Sequence, residues 1–240
     1  TLILSTNEFT IEYMSAIHFF NYTIPFWGAV LGMSIVFIFR IKKSFSFNLI
    51  LVFSGSFLLG ITVFHLMPEV FSNPSFTAGP WIISGLLLQI ILEYLSQGAE
   101  HGHAHSKENK NLPWPVLLSL CIHSFIEGLP LSNHCELVWG IFIHKIPIGM
   151  VVFFLVWETK ASTIIKTFVL LLFAIITPIG SFLNDNISFL QTWKLNITAL
   201  VVGMLLHIAT TILFESNQGH AFNFRKLVTI VLAISLSFIL

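Results

Sequence analysis

Long apolar runs separated by short polar punctuation divide the chain into eight segments, each predicting a helix. They cover about 24–41, 47–71, 79–97, 114–133, 137–157, 163–183, 195–214 and 224–240. Each is near the ~20 residues a helix needs to cross a bilayer core. The stretch before residue 24 carries Asn7, Glu8, Glu12, His18 and Asn21 and is too polar in its first half to span. It has no basic leading region, so it does not read as a signal peptide. The longest segment outside the helices is about 98–113, which holds the run His101-Gly102-His103-Ala104-His105. No stretch reads as a second domain. The expectation is an all-α polytopic membrane protein of one domain, residues 1–240.

Composition agrees with this pattern. Hydrophobic residues make up 55% and charged residues 9%, against about 25% charged in a soluble domain. Such a chain cannot cover a water-facing surface. Eleven basic residues balance eleven acidic ones, which argues against nucleic-acid binding. Cys121 and Cys135 form neither a disulfide framework nor a CxxC motif. The 25 Phe read as lipid-facing and core bulk.

The basic residues also orient the chain. Arg40, Lys42, Lys43, Lys107, Lys110, Lys160, Lys166, Arg225 and Lys226 fall at the odd-numbered loops, whereas the even-numbered loops have only Lys194. By the positive-inside rule the odd-numbered loops are cytoplasmic and both termini lie outside. Residues 1–23 are then extracytoplasmic, and the 98–113 loop is cytoplasmic.

Ionisable side chains inside a membrane are costly, which makes them functional candidates. The second helix carries His65 and Glu69, and the fourth carries His123, Ser124 and Glu127. In both, His and Glu are four apart and share one helix face. The fifth carries His144 and Lys145, and the seventh carries His207, Thr211 and Glu215. With ~1.5 Å rise per residue, Glu127 lies about 9 Å, His144 about 10 Å and His123 about 15 Å below the outer boundary. A very short turn joins the fourth and fifth helices, so they should be neighbours. Two imidazoles and a carboxylate suit a zinc-like divalent ion. Pro130 and Pro147 should leave the carbonyls of Ile126 and Ile143 without helical partners, and broken backbone at this depth is tolerated where it lines a cavity.

Plainer readings stand beside these. A single intramembrane His is commonly a helix-to-helix hydrogen bond, Glu215 would mark a helix end, and Glu93 would lie at the interface. The three loop histidines, His101, His103 and His105, fit either a solvated loop or weak metal capture.

At these residues the sequence resembles the ZIP (Zrt/Irt-like) family of divalent-metal transporters. HLMPE from His65 to Glu69, HSFIEGLPL from His123 to Leu131, HKIP from His144 to Pro147 and TPIG from Thr177 to Gly180 are similar, in order, to the family's motifs on helices 2, 4, 5 and 6. The resemblance covers essentially the whole chain. It implies a ZIP-like bundle passing Zn²⁺, Fe²⁺, Mn²⁺ or Cd²⁺ toward the cytoplasm between helices 4 and 5, with His123, Glu127 and His144 as ligands. It also implies an elevator-like movement of one bundle against another.

The chain departs from the family where Lys145 and Ile148 stand at positions many members fill with acidic residues or His, and where Ser124 replaces Asn. The expectation is that the Lys145 ammonium takes the place of a second metal and pairs with Glu127, leaving a one-metal site that water, Ser124 or a freed carbonyl completes. His65 and Glu69 would lie on the outer route, with His207, Glu215 and the histidine loop on the inner one. Zinc is the favoured cargo and no resident cofactor is expected; the partners are the ion and the bilayer. The oligomeric state is open, a homodimer included. Short loops and small size point to a bacterial inner membrane.

Rival readings are a non-transporting sensor or scaffold blocked by Lys145, a haem protein with axial histidines, and a metal-dependent membrane enzyme. The absence of HExxH and GxSxG motifs weighs against the enzyme.

Overall fold

The computed structural model describes residues 2–40, 45–96, 98–99, 111–215 and 224–240, with backbone alone for 2–20, 45, 46, 133 and 215. The histidine loop of His101, His103 and His105 lies outside the described residues, as does the side chain of Glu215. The helices are α1 (Leu2–Phe39), α2 (Phe45–Ile61), α3 (Met67–Ser72), α4 (Ala78–Ser96), α5 (Trp114–Gly128), α6 (Cys135–Trp157), α7 (Thr163–Asn186), α8 (Ser188–Thr192), α9 (Lys194–Glu215) and α10 (Phe224–Ile239). There is no strand among the described residues.

Among the described residues, six stretches are long and apolar enough to cross a membrane: Asn21–Phe39, Phe47–Ser72, Ala78–Ser96, Cys135–Trp157, Thr163–Asn186 and Lys194–Phe214. The surface is apolar too. On α4 alone Ile83, Leu87, Ile90 and Ile91 are exposed, a hydrophobic face that suits lipid and not water.

Two predicted spans come out shorter. α10 has 16 residues. α5 has 15, about 22 Å at 1.5 Å per residue, because Pro130 stops it before residue 133. The Ile126 carbonyl is not orphaned there: Leu129 N–H bonds to it at 3.1 Å, and a 3₁₀ turn over Leu131–Asn133 completes the connection. α6, in contrast, runs through Pro147. At the other end of the chain, α1 starts well before its apolar part. The polar residues before residue 21 do not forbid helix there.

Glycines show which helices lie closest. A Cβ on Gly28, Gly32 or Gly149 would meet the carbonyl of Phe142, Ile146 or Ala29 at 2.5, 2.0 and 2.5 Å, so α1 and α6 touch backbone to backbone. α5 and α7 do the same at Gly128 and Gly180, and α4 and α9 at Gly85 and Gly203. Gly60 of α2 would meet Ser237 of α10 at 1.8 Å. In lipid, where apolar burial drives little, such close approach is the main source of helix association.

The packing of α7 on α1 and α6, and of α2 on α9, joins these pairs into two units, α1/α5/α6/α7 and α2/α4/α9/α10. Across the seam a Cβ on Gly140 of α6 would meet the side chains of Leu58 and Ile61 on α2 at an ordinary 3.4 Å. Gly85→Ala would drive a methyl into the Leu200 carbonyl, 1.8 Å away. It should cost about 1–3 kcal/mol as overpacking, seen as a lower Tm in detergent. An unchanged Tm would mean that α4 and α9 do not pack this closely.

Candidate metal centre

The site sits on the first unit and faces the seam. His123 and Glu127, one turn apart on α5, are both buried, with His123 Nε2 3.2 Å from Glu127 Oε2. His144 projects from α6 and is fully buried, its ring centroid 6.1 Å from that of His123 at 78°. One ligand atom from each of the three lies within 4.8 Å of the others. Among the described residues this is the one group of three or more His, Cys, Asp or Glu that converges in this way.

A tetrahedral zinc with ligands at about 2.0–2.1 Å would place its donors roughly 3.4 Å apart. The His123–Glu127 pair is already at that spacing, and the full set needs a contraction of about an ångström. A nitrogen lone pair facing a carboxylate at this distance repels it. The contact attracts only with a cation, or a proton on nitrogen, between the two.

Lys145 supplies the positive charge next to it. Its ammonium contacts Glu127 Oε1 and donates to Ser124 Oγ at 2.6 Å, with Nζ 4.9 Å from the centre of the Phe173 ring. Lys145 is 2% exposed and Glu127 is 0% exposed. The two carboxylate oxygens are thus divided, Oε1 toward Lys145 and Oε2 toward His123. Thr177 Oγ1 donates to the Ser124 carbonyl at 3.0 Å, tying α7 to the same turn. Ile148, one turn beyond His144, is buried and apolar, so it adds no donor.

Two residues that the sequence did not single out complete the surroundings. Gln89 of α4 has Oε1 3.1 Å from His123 Nδ1, and Ser54 of α2 has Oγ 3.3 Å from His144 Nδ1. Both are buried.

The remaining candidates lie elsewhere. His65 and Glu69 do not work as a pair: His65 Nε2 meets the Ser237 carbonyl at 3.0 Å, while Glu69 Oε2 meets His134 Nδ1 at 3.2 Å. A π turn over Thr62–Leu66 just before Pro68, closed by Met67 N–H to the Thr62 carbonyl, interrupts the regular α-helix at His65. Burial pushes the His134 imidazole below its ordinary pKa, and the Glu69 carboxylate works against that. His207 pairs with Glu93 of α4, and Thr211 Oγ1 donates to the His207 carbonyl at 2.9 Å. Neither His207 nor Glu93 reaches the central three. At the α5–α6 end, the Asp185 carboxylate accepts from Tyr22 and Ser132, clamping α1, the 3₁₀ turn and α7 together.

Comparison of the sequence with models of known protein families and with curated proteins returns no match. The functional reading therefore rests on this geometry and on the motifs.

Proposed function

We propose that the chain is a ZIP-like transporter of divalent metal ions, with zinc as the favoured cargo, carrying them toward the cytoplasm through a site formed by α5 and α6. The observation that carries this reading is a two-His, one-carboxylate set, fully buried, inside a bundle whose outer surface is lipid-like. A carboxylate with two imidazoles selects a zinc-like ion over calcium or magnesium, which prefer all-oxygen shells. On the proposed orientation both termini and the α5–α6 turn are outside. Lys145 makes the site mononuclear by holding one carboxylate oxygen. Its charge also keeps binding moderate, which suits an ion that must leave again.

Uptake into proteoliposomes tests the proposal, with Zn²⁺, Fe²⁺, Mn²⁺ and Cd²⁺ compared side by side. Saturable influx supports it, and the ranking of ions names the cargo. A second reading, a metal-binding sensor or scaffold, draws on the fact that the Lys145 ammonium already contacts Glu127. Metal bound at equilibrium with no flux of any ion would favour it.

Glu69 and His134 would form the outer approach to the site. Glu69→Ala is expected to slow initial uptake several-fold while leaving equilibrium affinity at the central site unchanged. An unaltered rate would remove Glu69 from the route.

A further inference from the structure

The structure assigns Gln89 and Ser54 as the positioning residues of the metal centre: each holds the Nδ1 edge of one histidine and so aims its Nε2 at Glu127. This inference rests on the metal-binding part of the proposed function and would stand without transport.

An imidazole has two nitrogens and, when neutral, one proton. A hydrogen bond from Nδ1–H fixes the proton there, puts the lone pair on Nε2 and locks the ring plane. Gln89 Oε1, at 3.1 Å from His123 Nδ1, is an acceptor in the right place. Ser54 Oγ, at 3.3 Å from His144 Nδ1, is able to accept in the same way. Gln89 is not otherwise expected at its position. Gln89 is 0% exposed in the interior of an apolar helix, where a primary amide is costly to bury unless its polar atoms are satisfied. Leu in its place would pack without that cost.

Gln89 and Ser54 also share a location. All three ligands sit on α5 and α6, in the first unit, whereas Gln89 is on α4 and Ser54 on α2, in the second. The ligands are thus carried by one unit and aimed by the other.

The test is equilibrium binding of Zn²⁺ to the purified protein, with Co²⁺ as a spectroscopic probe of ligand geometry. Gln89→Leu keeps the volume and removes the acceptor. It should weaken Zn²⁺ binding by about 10–100-fold and alter the visible Co²⁺ spectrum. Gln89→Glu, which restores an acceptor, should recover affinity and spectrum. Ser54→Ala should weaken binding and Ser54→Thr should restore it.

A merely structural role would lower Tm without the spectral change and without rescue by the conservative variants. If Gln89→Leu misfolds, the Ser54 pair carries the same test. Wild-type affinity and spectrum in both folded Gln89→Leu and Ser54→Ala would overturn this inference alone. A wild-type protein that binds no divalent metal would overturn the metal reading and this inference with it.

Discussion

Replacing Glu127 with Gln is expected to reduce metal uptake and equilibrium binding by more than about a hundredfold, since losing a ligand should exceed the 10–100-fold typical of the residues behind it. Glutamine keeps the shape of the side chain but loses the charge, so its neutral amide oxygen is a much weaker ligand for a divalent ion than a carboxylate. The variant has a second effect that must be separated from the first. Lys145 contacts Glu127 in the interior, and removing one partner of a buried pair leaves the other uncompensated, at a cost of about 3–5 kcal/mol. A loss of uptake could then report unfolding. The double variant Glu127→Gln, Lys145→Met removes both charges and should regain much of the Tm while still failing to bind. If the double variant binds metal like the wild type, Glu127 is not a ligand.

Lys145→Met alone should have two opposite effects. Without metal, the protein should lose about 3–5 kcal/mol, because the Glu127 carboxylate is left buried with less compensation. With metal, affinity should rise. A divalent ion and the ammonium about 6 Å apart at an effective dielectric constant near 20 repel by roughly 5.5 kcal/mol, so removing the ammonium should tighten binding by up to about ten-thousandfold. Thermal unfolding with and without Zn²⁺ reads both effects. The metal-free Tm falls, and the stabilisation that metal adds, RT ln(1 + [L]/Kd), grows as Kd falls. Unchanged affinity and stoichiometry would show that Lys145 neither opposes the ion nor stands in for a second one. Uptake has its own outcome: an ion held more tightly leaves more slowly, so tighter binding should come with slower turnover.

The central site was legible because its residues are expensive where they stand. His123, Glu127, His144 and Lys145 interrupt apolar runs, and the four-residue spacing of the first two fixes their shared face. The same logic failed for His65 and Glu69, also four apart, because spacing assumes a regular helix and the π turn before Pro68 breaks that assumption. The fourth helix ended early for a related reason: Pro130 is an obvious breaker, but the compensating bond from Leu129 is not visible in one dimension. Gln89 was overlooked because a neutral amide raises less alarm than a charge. Its position four residues before Glu93 was the available signal, since that spacing puts both on one face of α4, one toward His123 and the other toward His207. Ser54 carried no signal, as serines recur throughout these helices. Which helices meet across the bundle was beyond the sequence, although the glycines that permit the closest approaches were present in it.

If the proposed site holds an ion, the seam between the two four-helix units separates the ligands from the residues that orient them. A slide of one unit past the other by about 2 Å, transverse to the bonds, would stretch both the Gln89 and Ser54 hydrogen bonds beyond the 3.5 Å at which such bonds cease to count. It would leave His123, Glu127 and His144 at their mutual distances, because all three travel together. The ligand set is thus indifferent to displacement and its grip is not. On the proposed function, affinity would then be a readout of alignment, set by two uncharged side chains outside the ligand set.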